Sequence, residues 1–373
     1  LNGCTANRNL NAVLENDVDM SGYYWVPLGA VSGYNTTNSA FIETGAGYSG
    51  TFDGQGHVIS NLDCGYLSGI SKYGLFGQTS NATLKNILID GYTQKATNSS
   101  VAYAMGGVVG SANGGIISNS EARGVITASS CDEGSLVGGL VATSTNGSLI
   151  HSSMAMPEVA IGATVNYVGG LVGQMTAGTS LKNSYAVPKF VTDNTNTAGL
   201  VGSNAGIVEN CYVRLQAGSL TPAHWFADGG SVDYCYAPDE ASNVQTGTNG
   251  TYAPTALFSG KYGFAHSDQA VTADNGYVEN GAITNQGELK GLQATLNNWV
   301  DAQTDGVDYA TWTRTMGSPI NGDYPIMEYD DFVCAGSTDD LFVAYKGSLD
   351  DMIAYANANT DGGNGKLCIL LAG

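Results

Sequence analysis

The chain has 373 residues, of which 33 are acidic and 13 basic, for a formal net charge of −20, yet charged residues make up only 12% of it. The shortage of cations excludes a nucleic-acid-binding protein and one docked on an anionic membrane. The 43% hydrophobic content excludes intrinsic disorder, and the 52 glycines keep no strict collagen period. Gly, Asn, Ser and Thr all disfavour helix interiors, so the composition predicts an all-β chain of many short strands and turns.

The seven cysteines run from Cys4 to Cys368 without metal-type spacing, which argues against a zinc site, and their odd number leaves at least one thiol unpaired in a monomer. The chain opens at Leu1 with no apolar signal segment, as expected of a processed or truncated fragment. No apolar run reaches the ~18 residues of a membrane span. The acidic balance fits an exported protein, extracellular or at a cell surface. A monomer that needs no cofactor is expected.

From residue 59 onward a two-part unit repeats. Its first half is a Gly-apolar-apolar-Gly core at Gly74–Gly77, Gly107–Gly110, Gly170–Gly173 and Gly199–Gly202, with a degenerate copy beginning at Gly139. The second half is centred on Asn61, Asn86, Asn119, Ser152, Asn183, Asn210 and Tyr234, at spacings of 25, 33, 33, 31, 27 and 24 residues. Such a period is that of a solenoid. Two residues before the Asn slot the residue is always apolar (Ile59, Leu84, Ile117, Ile150, Leu181, Val208, Val232), and one before it is always polar. After the slot come small residues (Ser120, Ser153, Ser184, Cys211, Cys235) and, two further on, Ala122, Ala155, Ala186, Val213 and Ala237. This is strand alternation interrupted by one corner. Each copy has an apolar face too small to stand alone, so stacked copies must share a core. The economical solution is a parallel β-helix with one copy per coil. An asparagine ladder then climbs one corner at about 4.8 Å per rung. At another corner Gly74, Gly107, Gly139, Gly170 and Gly199 supply positive φ and close approach.

The units resemble the GLUG-motif repeat of bacterial surface and secreted proteins, most clearly in Gly199-Leu-Val-Gly-Ser-Asn-Ala-Gly-Ile-Val-Glu-Asn-Cys-Tyr212. The opening, Leu14–Ser21 and Ser49–Leu62, and the segment from Trp312 through Pro319–Pro325 look like the leading and closing parts of such proteins. The resemblance covers roughly residues 10–330 and implies a right-handed parallel β-helix with an adhesive role. It implies no catalytic residues. The same repeat accompanies the protease domain of IgA-cleaving metallopeptidases, but none of the four histidines here stands in the His-Glu-x-x-His motif that such a protease needs. The copy at 223–237 lacks the Gly-Leu core, which blurs the last coil.

Residues 1–256 are thus read as the solenoid. Residues 257–330 are read as a cap over its open end, with a helix over 288–303 marked by Leu289, Leu292, Leu296, Trp299 and Val300. Residues 331–373 are read as the start of a following module or a terminal appendage. It holds strands at 341–345 and 366–371 and a helix whose N-cap is Ser348. Together these give an all-β solenoid with a small mixed α/β C-terminal cap.

Several side chains are candidates for chemistry. Asp17, Asp19 and Asp53 could supply a glycosidase's two carboxylates, but Asp in such contexts ordinarily makes turns. Asp301, Asp305 and Asp308 around Gly306 could hold calcium, although exposed acids at a helix end are commoner. His151 occupies the outward polar slot and is expected in solvent. Cys211 and Cys235 share an inward slot, as stacked thiols rather than a disulfide. Two residues after the Asn slot, Tyr185, Tyr212 and Tyr236 are expected in line along the outside, as a platform for a glycan or a host or matrix protein unless the cap packs over them. On the platform reading, Tyr212→Ala weakens binding without changing thermal stability. The favoured function is a non-catalytic bacterial adhesion module. A polysaccharide-degrading lyase or hydrolase and a plain spacer are the alternatives.

Overall fold

The computed structural model of the chain describes residues 8–238 except 44, 66, 97, 163–164 and 193–195, and beyond them 256–258, 278–279, 282–283, 292–293, 296–313, 324–328, 333–336, 342–345 and 368–369. It is a parallel β-solenoid. Each full coil runs through three faces. In one coil these are Ala104–Gly106 on the third face, Val109–Ser118 on the first and Glu121–Ala128 on the second. The first face is an 11-stranded sheet, the second a 10-stranded sheet and the third a 5-stranded sheet. Every pairing along these three faces is parallel, as in Val109–Ser118 against Phe76–Lys85 and Glu121–Ala128 against Met154–Ile161.

Alternation along each strand fills the interior. Leu84, Ile150, Leu181 and Val208 are fully buried, as are Ala122, Ala155, Ala186 and Val213 beyond the corner. Between the third and first faces a second apolar column stacks Leu75, Val108, Leu140, Leu171, Leu200 and Phe226. Its backbone is linked coil to coil, for example Leu140 N–H to Leu171 O and Leu171 N–H to Leu200 O. Phe226 explains the copy without a Gly-Leu core: Trp225-Phe226-Ala227 takes the place of Gly199-Leu-Val, with Ala227 bridged to Val201. Solenoid pairing continues to Ala256–Phe258.

The glycines of this corner act through close approach. A Cβ at Gly199 would lie 2.2 Å from Trp225 O and 2.8 Å from Val213 Cγ2. Positive φ was also expected here, but of the five first-position glycines only Gly74 has it. The asparagine corner is where left-handed backbone is needed. Asn86, Asn119, Ser152, Asn183, Asn210 and Tyr234 have φ between 48° and 57°. Asn tolerates this region better than most residues, which accounts for its recurrence.

Asn61 does not belong to that ladder. Asp53 pairs with Lys85, so Gly54 precedes Asn86 at the corner, whereas Ser60 pairs with Asp90 and sets Asn61 beside Gly91. Asn61 also has φ 57° and Gly91 φ 80°, so they form a separate kink on the second face. Two left-handed kinks share one local signature, apolar-polar-Asn, and only strand register separates them.

Residues 257–330 are expected as a cap over the end of the solenoid, but the described residues among 292–328 lie along its side instead. The helical residues 292–293 and 296–301 and the antiparallel strands Thr311–Thr313 and Ile326–Glu328 build a second apolar cluster against the outer side of the second face. Leu292, Leu296, Trp312, Tyr324, Ile326 and Met327 join Leu88, Met154, Tyr185, Val187, Tyr212 and Tyr236 in it. In the first coil an antiparallel hairpin, Val31–Asn35 with Ala40–Glu43, interrupts the path. Near the C-terminus, Val333–Gly336 pairs antiparallel with Phe342–Tyr345 and with Cys368–Ile369. The helix expected after Ser348 lies outside the described residues. No helix among the described residues is long and apolar enough to cross a membrane.

Candidate functional site

The expected tyrosine line exists but is not a surface. Tyr185 and Tyr212 stack at 4.9 Å with planes 6° apart, and Tyr236 pairs in register with Tyr212. All three are at most 1% exposed. The indole of Trp312 lies 5.9 Å from Tyr185 and 5.5 Å from Tyr212, and the Tyr212 hydroxyl donates to Pro325 O. Aromatic rings are worth more against other rings and apolar side chains than in water, so the lateral cap covers them and they are no ligand platform.

The asparagine ladder explains how the cap is held. Each Nδ2 donates down the solenoid: Asn86 to Asp53 Oδ1 at 2.9 Å, Asn119 to Asn86 Oδ1 at 3.4 Å and Asn210 to Asn183 Oδ1 at 2.8 Å. Asn183 is saturated. Its Nδ2 donates to Ser152 Oγ (3.3 Å) and Ala310 O (2.8 Å), while its Oδ1 accepts from Asn210 Nδ2 and from Trp312 Nε1 (2.6 Å). Ala310 N–H donates to Ser152 Oγ at 2.9 Å, and Asn210 Nδ2 reaches Leu296 O at 3.1 Å. The strap of residues 305–312 is therefore fastened to two successive rungs, Ser152 and Asn183, and the helix at Leu296 to the next, Asn210. The small slot after the corner is also structural. Ser120, Ser153 and Ser184 each donate to the carbonyl two residues back at 2.8 Å.

Where the ladder changes residue type, an acceptor is stranded. Ser152 and Tyr234 carry no amide, and the buried Oδ1 atoms of the residues one rung below them, Asn119 and Asn210, have no hydrogen-bond partner among the described residues. Buried acceptors without donors are uncommon in folded proteins and mark places that need a physical explanation.

The Asn119 break lies at a groove of about 550 Å³ between the first face and the strap. Its floor crosses successive coils at Lys85, Asn86, Ser118, Asn119, Leu149 and His151, and Gly306–Thr311 form its wall. Lys85 is held by Asp53 at 3.1 Å. His151, expected in solvent, is 6% exposed because the strap folds over it, with the Tyr309 ring 5.4 Å away. Burial lowers its pKa to about 4, against the pull of Asp308 and Asp305. Its Nδ1 lies 3.2 Å from Ser152 Oγ. That hydroxyl already accepts from Ala310 N–H and Asn183 Nδ2, so its own hydrogen goes to Nδ1. The neutral ring then carries its proton on Nε2.

The other acids serve local structure. Asp19 accepts from Ser21 N–H and Asp53 from Gln55 N–H, as turn-forming carboxylates do, whereas Asp17 accepts from Val58 N–H and Asp19 from Asn61 Nδ2 across to the neighbouring coil. Hydrogen bonds from Asn61 and Ser21 lower the pKa of Asp19. Asp305 accepts from Val307 N–H and the Tyr309 hydroxyl and lies 3.7 Å from Lys182 Nζ. Among the described residues no group of three or more His, Cys, Asp or Glu could hold a metal ion. Cys211 and Cys235 are free, buried thiols on adjacent coils. Glu121 stands in no recognisable sequence motif. Burial raises its pKa despite Arg123 alongside, but the recess that it shares with Asp90 measures only about 20 Å³.

No protein-family model matches the chain, and no curated protein matches it. Among solved structures, one described as "a putative immunoglobulin A1 protease from Bacteroides ovatus" is similar, with a TM-score of 0.45, 16% sequence identity and 86% of each chain covered.

Proposed function

We propose that this chain is a non-catalytic β-solenoid of the bacterial cell surface, of the GLUG-repeat kind, that adheres by binding a glycan in the groove between its first face and the strap. The groove carries this reading. Its volume of about 550 Å³ falls within the usual range of small-molecule sites. Its lining mixes amides, hydroxyls, the His151 imidazole and small apolar patches, with its one lysine already paired to Asp53 and one carboxylate, Asp308, in the wall. Such a surface suits an uncharged, hydroxyl-rich ligand. Against a glycan-cleaving enzyme stands the position of Glu121. Its raised carboxyl suits a general acid, but its recess has room for about one water and none for a sugar ring.

The test is a glycan and matrix-protein binding screen run beside a polysaccharide-degradation assay. Retention of glycans with no release of reducing ends is expected. Release of product would replace the adhesion reading with the enzymatic one. Binding to nothing on the array would leave a spacer.

A further inference from the structure

We infer that the groove selects a hydroxyl group of a neutral glycan through a matched pair, the Nε2–H of His151 as donor and Oδ1 of Asn119 as acceptor. This inference rests on the glycan reading above and adds the ligand's class and the atoms that read it. Three observations lead to it. The hydrogen-bond count around Ser152 puts the imidazole proton on Nε2, and the ring, 94% buried, lines the groove with that nitrogen unpartnered among the described residues. Asn119 Oδ1 faces the rung where the ladder switches to serine, and it has no donor among the described residues. Ser118 pairs with His151, so Asn119 directly follows the partner of His151 on a strand whose axis runs about 4.8 Å away.

A hydroxyl satisfies both from one oxygen, accepting from Nε2–H and donating to Oδ1. Asn119 Oδ1 is buried in the unliganded structure, so the amide must turn toward the groove to meet that hydroxyl. A carboxylate has no hydrogen for Oδ1, and Asp308 in the wall and the net charge of −20 repel it. An ammonium has no lone pair for Nε2–H. A peptide amide carries its donor and its acceptor on separate atoms that point in opposite directions. Removing the matching group from such a pair is costly, because the protein's own polar atom is then left unpaired.

The experiment uses the full chain and titrates it with neutral gluco-, manno-, galacto- and xylo-oligosaccharides, with uronate oligosaccharides and with unstructured peptides. His151→Gln keeps a donor near the Nε2 position. His151→Asn keeps an acceptor for Ser152 but withdraws from the groove. Neutral oligosaccharides should bind best, His151→Asn should weaken them about tenfold, and His151→Gln should stay within about twofold of wild type. Deoxy and O-methyl derivatives of the best ligand, tested on the unaltered protein, keep the question decidable if a variant fails to fold. At one hydroxyl position both replacements should lose about tenfold, since O-methylation removes only the donated hydrogen. Neutral-glycan binding that neither the His151 variants nor any derivative changes would overturn the inference and leave the proposed function standing. Preference for uronates or peptides would overturn it too. Binding of none of these probes would overturn both.

Discussion

Asn183→Gly should detach the lateral cap without unfolding the solenoid. The native amide makes four hydrogen bonds at a fully buried position, two of them directly to the cap. Glycine adopts the native φ of 48° without strain, so the substitution isolates the side chain's contribution from that of the backbone. It strands the Trp312 indole N–H, the Ala310 carbonyl and one Asn210 amide hydrogen in a dry interface. At about 1–3 kcal/mol for each stranded group, partly relieved if the strap lifts and admits water, the loss is about 3–5 kcal/mol. Asn183→Ala adds about 1–2 kcal/mol, because alanine resists the left-handed region. The assay is intrinsic fluorescence with limited proteolysis. The emission of Trp312, 1% exposed in the native fold, should shift to the red, and cleavage should begin around the strap while the solenoid keeps its β-sheet circular dichroism. Native Trp312 emission and native protease resistance in Asn183→Gly would refute the claim that this amide fastens the strap.

Three further outcomes follow from the packing. Tyr212→Ala should destabilise by about 3–5 kcal/mol, the cost of a large cavity between two apolar layers, and an unchanged melting temperature would return this ring to the surface. Gly199→Val should cost about 3 kcal/mol or more, since its Cβ would press on Trp225 O at 2.2 Å and force adjacent coils apart; thermal denaturation reads this directly. His151 has a folded pKa of about 4, below its ordinary 6.5, so the unfolded chain binds the proton more tightly. Its contribution is therefore intact above pH 6.5 and is lost as pH falls to about 4, by about 3 kcal/mol in total. Glu121, with a raised pKa, works with the opposite sign. The check is thus the difference between wild type and His151→Asn in melting temperature across that window, and parallel curves would refute it.

Local pattern was enough for the coil. The apolar slot at Leu84, Ile117, Ile150, Leu181, Val208 and Val232, the polar slot beside it and the left-handed asparagines are set by the alternation of a strand and the sterics of one kink. Both can be read along a few residues. Asn61 shows the limit of such reading, because two kinks with the same local chemistry differ only in which strand lies alongside. Phe226 shows another. A bulky ring can fill the corner column where Gly-Leu does elsewhere, and stacking rather than sequence likeness makes them equivalent.

The outer surface was decided only by tertiary structure. Tyr185, Tyr212, Tyr236 and His151 point away from the solenoid core, as their slots require. Whether an outward side chain meets water or protein depends on a segment more than 100 residues downstream, as in Tyr212 to Pro325 and Ala310 to Ser152. No local period encodes that contact. The sequence alone determined the solenoid because each coil repeats one short-range rule. The strap, the burial of His151 and the groove above Asn119 arise from one long-range docking, where unpaired amides and exposed rings found their partners in a distant part of the chain.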